Sequence, residues 1–180
     1  MNEISLRNTI ESIRQDALRY VDWRKQPGFW VTLSYRVRRL RKFGAGPFRL
    51  LLVPSDVCLG LVKWIVSDST IPSSVDVDPG LYLPHPNGLV ISYRARIGAQ
   101  VAIFQQVTLG EWQNGVPVVE DGCALYAGAK VIGGITIGSQ SKIGANVVVN
   151  ANIPASSSVS VATASFRVRS STTQTENGVR

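Results

Sequence analysis

Along residues 71–161 the aliphatic positions recur every six residues. Ile71, Val77 and Leu83 set the step, and after a two-residue slip Ile91, Ile97, Ile103 and Leu109 resume it. After a four-residue surplus, Val119, Leu125, Val131, Ile137, Ile143, Val149, Ala155 and Val161 continue it with no further gap. Neither a helical nor a strand period gives this spacing, and a fixed internal period marks a solenoid. Four residues after each aliphatic stands a smaller or β-branched side chain, among them Val101, Val107, Cys123, Ala129, Ile135, Ser141, Val147, Ile153 and Val159. Gly98, Gly110, Gly138 and Gly144 directly follow an aliphatic, where a corner would favour φ values that other residues avoid. Each unit reads as a short strand plus a turn, three units closing a triangular coil of about 18 residues, with coils roughly 4.8 Å apart. The expected class is mainly β: a parallel β-helix of about five coils behind an N-terminal α-helical segment.

Residues 1–70 carry a different period. Leu6, Ile10, Ile13, Ala17 and Val21 fall three or four apart and predict one apolar helix face; Pro27-Gly28 ends that pattern. Trp30, Leu33, Val37 and Leu40 predict a second face, with Arg36, Arg38, Arg39, Arg41 and Lys42 crowding the remaining surface. A third stretch carries Leu51, Leu52, Val57, Leu61, Val62 and Ile65. The expected organisation is a basic helical region over 1–70, the β-helix over 71–169, and a Ser/Thr-rich tail over 170–180, expected to be disordered.

Charge sharpens this division. The chain carries +7, of which residues 1–70, with 12 Lys/Arg against 6 Asp/Glu, hold +6. A charge run alone does not make a nucleic-acid site, and none is expected. The start has no signal-peptide pattern, and the apolar window Phe48–Val66 is interrupted by Arg49, Pro54, Asp56 and Lys63. A cytoplasmic protein is therefore expected. Trp23, Trp30, Tyr35 and the arginine cluster could lean on an anionic inner leaflet, or form a solvated face packing in the oligomer. Cys58 and Cys123 are too few for a disulfide framework, and Cys123 falls on a core position. With His85 the only histidine, no metal is expected.

The register breaks are where chemistry would sit, because a solenoid core gains nothing from extra residues and loops carry function. One, Pro84-His-Pro-Asn-Gly88, holds the histidine; the other is Gly110-Glu-Trp-Gln-Asn-Gly-Val-Pro117. Read from composition, His85 is either a turn-capping loop residue or a general base working near neutral pH.

Leu81-Tyr-Leu-Pro-His-Pro-Asn-Gly-Leu-Val-Ile, Phe104-Gln-Gln-Val-Thr-Leu-Gly110, Ala127-Gly-Ala-Lys-Val-Ile-Gly-Gly-Ile-Thr-Ile-Gly138 and Lys142-Ile-Gly-Ala-Asn-Val-Val-Val resemble the serine acetyltransferase family of hexapeptide acyltransferases. The resemblance spans about 90 residues in order and includes both breaks. It implies a left-handed parallel β-helix, a homotrimer, and acetyl-CoA as co-substrate in grooves between subunits. It places His85 at the catalytic histidine, taking the proton of an acceptor hydroxyl. Ala127 and Ala145 fall where backbone meets the pantetheine arm, Lys142 falls near the nucleotide phosphates, and Gly110 and Tyr126 join them as cofactor-contacting positions. Asn87, Glu111, Trp112 and Asn114 are the corresponding acceptor-binding candidates.

Some positions depart from that family. Pro84 stands where it has an aspartate, Val116 where it has a second histidine, and Thr70 where the orienting carboxylate is expected, leaving Asp68, Asp76, Asp78 and Glu111 as substitutes. Val161-Ala-Thr-Ala-Ser165 replaces a Gly-Val-Pro-Ala-Arg run. A basic helical start before a Leu-Pro-His-Pro loop looks like the O-acetyltransferases of capsule and exopolysaccharide pathways. The expected acceptor is accordingly a sugar hydroxyl of a glycan. The alternatives are serine O-acetylation in cysteine biosynthesis and a non-catalytic trimeric scaffold.

Overall fold

The computed structural model describes residues 4–44, 47–113 and 115–161. Three helices, α1 (Leu6–Ala17), α2 (Pro27–Phe43) and α3 (Val53–Val66), precede a parallel β-helix. One face of the β-helix stacks β2 (Val90–Ile91), β5 (Thr108–Gly110), β8 (Lys130–Ile132) and β11 (Val148–Val149). A second stacks β1 (Asp76–Val77), β3 (Arg96–Ile97), β6 (Val118–Val119) and β9 (Thr136–Ile137). The third stacks β4 (Ala102–Ile103), β7 (Ala124–Leu125), β10 (Lys142–Ile143) and β12 (Ser158–Val159). The chain visits the faces in that order, coil after coil. The six-residue period is thus the spacing between faces, and Ile97, Ile103, Leu109, Val119, Leu125, Val131, Ile137 and Ile143 are all fully buried along the axis. Each such side chain contributes about 1.5–3 kcal/mol by leaving water.

Pairing between coils fixes the breaks. Asp76 pairs with Arg96, a step of 20 residues that contains the His85 loop. Arg96 pairs with Val118, a step of 22 that contains the 111–117 loop, and Val118 with Thr136, the unbroken step of 18. Both interruptions read from the aliphatic period are therefore present. A third was not anticipated: Ile137 bridges Ile153 and Lys142 pairs with Ser158, steps of only 16. Two residues are missing from the last coil, so Ile153 and Val159 turn inward, and Ala155 and Val161 are exposed.

Two other expectations change. The glycines after the aliphatics do not adopt positive φ; that conformation falls two residues later, at Gln100, Gln106, Gln140 and Asn146 and at Gly122 and Gly128. Gly138 is instead required by close approach, since a Cβ there would lie 2.4 Å from the Ala155 nitrogen of the next coil. The helices also bury polar side chains that their apolar stripes did not suggest, and only part of each predicted stripe turns inward. In α1, Leu6 and Ile10 are exposed, as is Val21 beyond its end, while Thr9 and Asp16 are buried; in α2, Leu40 of the predicted face is buried, but so are Tyr35 and Arg36.

The reason lies at the end of the solenoid. Its first coil exposes unpaired backbone groups, a liability in any open sheet edge. The helices satisfy them with polar side chains. Asp16 Oδ1 accepts from the Gly80 and Leu81 N–H groups at 2.8 and 2.9 Å, and Tyr20 Oη accepts from Leu83 N at 3.0 Å. Tyr35 Oη donates to Val75 O at 2.7 Å, and Arg36 donates to Val77 O and Asp78 O at 2.6 and 2.8 Å while pairing with Asp16 at 2.9 Å. Arg39 donates to Ser73 O and Val75 O and pairs with Asp76 at 2.8 Å. The arginines expected on a solvated surface are in large part a cap.

Burial pushes the Tyr20 and Tyr35 hydroxyls up to about 12. An unfolded tyrosine ionises near 10, so above that pH the unfolded state releases protons that the folded state retains. Stability contributed by these two hydroxyls is full below pH 10 and falls as pH rises toward 12. Thermal melts across that window are expected to show a decline that Tyr35→Phe makes shallower.

Candidate active site

His85 sits where the chain turns from the third face to the first, and the loop carrying it is held from below. The segment Ser67-Asp68-Ser69 lies one coil earlier, in register with Asn87–Leu89. Ser67 Oγ and Ser69 Oγ both donate to Pro86 O, the latter at 2.5 Å. Asp68 Oδ1 accepts from Gly88 N at 2.6 Å, and Ser69 Oγ from Leu89 N at 3.1 Å. Asn87 N closes the turn onto His85 O at 2.9 Å, and Asn87 O accepts from Gln106 N above it at 2.8 Å. Pro86, Ser67 and Ser69 are buried, which leaves the His85 side chain exposed on a fixed backbone. This cradle is not legible in the residues alone; its signal is a 20-residue offset, visible only once the first coil step is known.

Above His85 the same edge continues through Phe104-Gln105, Tyr126-Ala127 and Gly144-Ala145, locked by Gly128 N to Gln105 O and Asn146 N to Ala127 O, both 2.9 Å. The Phe104 and Tyr126 rings stack at 5.1 Å, and Lys130 Nζ donates to Gln106 O and Gly128 O, at 2.9 and 3.0 Å. Gln105 Oε1 is buried without a hydrogen-bond partner. Asn87, Tyr126, Ala127 and Ala145 therefore share an edge with His85, and exposed Lys142 leads into it from β10. An aromatic wall beside two alanines and a glycine leaves room for an extended chain running across successive coils.

The other sequence candidates lie elsewhere. Gly110, Glu111 and Trp112 occupy the far end of the first face, at its edge with the second; Asn114 lies outside the described residues. Trp112 and Gly115 close a tight turn by mutual backbone bonds of 3.0 and 2.9 Å. Beside it a cleft of about 700 Å³ is lined by Trp112, Gly115, Ile132, Gly133, Val148 and Asn150. The width of the first face, about four to five residues or roughly 15 Å, separates this edge from that of His85. Within one chain the two loops do not converge.

The four carboxylates considered as partners for His85 resolve in the same way. Glu111 is ion-paired with Arg94, Asp76 with Arg39, and Asp78 lies 3.9 Å from Arg96. Asp68 alone of the four bonds to the His85 loop, through the Gly88 N–H rather than the imidazole. Cys123 is buried against Gly138 O, and burial raises its thiol above the ordinary range, consistent with a core residue. Among the described residues, no three of His, Cys, Asp and Glu cluster as a metal site requires.

Fold and edge together define a hexapeptide-repeat β-solenoid with a buttressed, histidine-bearing loop at the foot of one edge. The chain is similar to serine acetyltransferases in both sequence and structure. It is 36% identical over 109 residues to the serine acetyltransferase of Bacillus subtilis, a match covering 55% of this chain and 50% of that protein. It superposes on serine acetyltransferase isoform 3 of Entamoeba histolytica, solved with cysteine, with a TM-score of 0.73 at 26% identity, covering 90% of this chain and 61% of that one. A serine acetyltransferase solved with CoA aligns with a TM-score of 0.66 at 26% identity, covering 85% and 67%. The match thus spans between 34% and 50% of the length of the curated relatives. No protein-family model matches it.

Proposed function

We propose that the chain is an acetyl-CoA-dependent O-acetyltransferase that uses His85 as general base, with L-serine as acceptor. The observation that carries the reading is the single edge on which His85, Tyr126, Ala127 and Ala145 follow one another up the coils. The CoA-bound structural relative supports the co-substrate, and the serine acetyltransferase relatives support serine over the sugar acceptor expected from Pro84 and Val116. The Nε2 or Nδ1 of His85 takes the acceptor hydroxyl proton as its oxygen forms a bond to the acetyl carbonyl carbon; the C–S bond then breaks, and the imidazolium returns its proton to the departing thiolate. Backbone N–H groups near the loop stabilise the oxyanion. Ala127 and Ala145 admit the pantetheine arm, and Lys142 meets phosphate as a point charge.

Because Glu111, Trp112 and the adjoining cleft lie on another edge, the complete site needs a second copy. In a cyclic trimer, the His85 edge of one protomer faces the 111–117 edge of the next. A sugar hydroxyl is the second reading, favoured by Pro84 and Val116, which remove two polar groups from the acceptor side.

The test follows thiol release from acetyl-CoA with serine and with a panel of nucleotide-linked and free sugars supplied in turn. Serine-stimulated release is expected. Release with a sugar and not with serine would replace the acceptor, and an inability to bind CoA would remove the enzymatic reading altogether.

A further inference from the structure

Helix α3 is built inside out. Its one carboxylate, Asp56, is buried and bridges Arg38 and Arg41 of α2 at 3.1 and 2.6 Å. Val66 packs against the core and Leu59 and Val62 are half-buried, but Val57, Leu61, Trp64 and Ile65, together with Leu50 and Leu51 of the preceding 3-10 turn (Pro47–Leu52), are 59–82% exposed. The spacing of Val57, Leu61, Trp64 and Ile65 puts them on one helical stripe. Single exposed leucines need no explanation, whereas a contiguous stripe of this kind marks a binding surface.

We propose that this face is an interfacial membrane anchor, its apolar stripe inserted among the acyl chains of an anionic bilayer. Charge selects the occupant. Between residues 47 and 66 the only acidic side chain is Asp56, which two arginines neutralise, while exposed Arg49 adjoins the stripe in the chain and exposed Lys42 lies in the last turn of α2. A second copy docked face to face would set these cations against their own counterparts, whereas anionic headgroups oppose them with the complementary sign. Length selects the mode. Fourteen helical residues extend about 21 Å, short of the roughly 30 Å of hydrocarbon in a bilayer. No helix among the described residues is long and apolar enough to cross a membrane. The helix therefore lies in the surface, with Trp64 at headgroup level. This relocates the membrane contact expected from Trp23, Trp30, Tyr35 and the arginines: Tyr35 is buried, Trp23 and Trp30 pack on Phe29, and Arg36, Arg38, Arg39 and Arg41 are ion-paired.

The experiment is flotation of the full chain with vesicles of phosphatidylcholine alone and of phosphatidylcholine mixed with phosphatidylglycerol. A parallel reading comes from an environment-sensitive fluorophore on Cys58, which is exposed on α3 while Cys123 is buried. The chain is expected to float with the anionic vesicles, less so as salt is raised, with a blue shift of the dye. Leu61→Ser with Trp64→Ser is expected to lower the bound fraction by about tenfold or more at unchanged thermal midpoint, both side chains being solvent-facing. Failure to float, or flotation undiminished in the double variant, would overturn the anchor. So would a drop in solution mass of the double variant with vesicle binding intact, which would assign the face to a second copy. None of these readouts depends on acetyl transfer.

Discussion

Replacing His85 with alanine is expected to lower the acceptor-dependent turnover of acetyl-CoA by about 10²–10⁴-fold, the range that a positioned general base supplies. The loss should fall on kcat and leave acetyl-CoA affinity intact. That split follows from the geometry: the proposed cofactor positions, Tyr126, Ala127 and Ala145, lie in coils above the loop and do not depend on the imidazole. His85 is exposed, and the loop is held by bonds to the Pro86 carbonyl and to the Gly88 and Leu89 amides, so removing the side chain leaves the backbone in place. Steady-state kinetics with acetyl-CoA and acceptor varied separately check the prediction. An equal loss from a rise in the acetyl-CoA KM alone would make His85 a binding residue.

The largest structural effect is expected at Asp16. Its carboxylate is 1% exposed and accepts four hydrogen bonds, from Arg36 Nε and Nη2 and from the Gly80 and Leu81 amides. Asp16→Ala leaves the buried guanidinium of Arg36 without its counter-charge and strips two amides of their acceptor. Breaking one side of a buried ion pair costs about 3–5 kcal/mol. Urea unfolding at fixed protomer concentration measures it. Asp16→Leu combined with Arg36→Met should be less damaging than the two single changes summed, because no unpaired charge remains. Additivity in that cycle would mean that Asp16 acts on the coil amides alone.

How much of this was legible in the sequence depends on whether a residue reports on its own neighbourhood or on a distant one. The β-helix was legible because each inward aliphatic repeats a local requirement, and both insertions showed as slips in that beat. The two-residue deletion before Ile153 did not, since Ala155 and Val161 preserve an apparent period with tolerable side chains. Helix faces were only partly assigned, Leu40 inward as expected but Leu6 and Ile10 not, because a 3.6-residue stripe says that a helix is two-sided without saying which side meets the core. Here the solenoid's open end needed donors and acceptors, so Asp16, Tyr35 and Arg36 went inward and Leu6, Ile10 and Ile65 outward. In the site, His85 stood out as the lone histidine in a register break. The Ser67-Asp68-Ser69 cradle did not, because its partners are one coil away. The division of the two loops between different edges depends on their phase around the triangle, which sequence order hides.

That division is the core of the functional account, and complementation tests it most directly. A His85→Ala chain and a chain carrying Glu111→Ala and Trp112→Ala are each expected to be impaired alone. Co-expressed in equal amounts, they should regain activity toward about one quarter of the wild-type level, the share of interfaces in the proposed trimer that combine an intact His85 edge with an intact 111–117 edge. Mixed oligomers no more active than the sum of the separate variants would contradict a site built between copies.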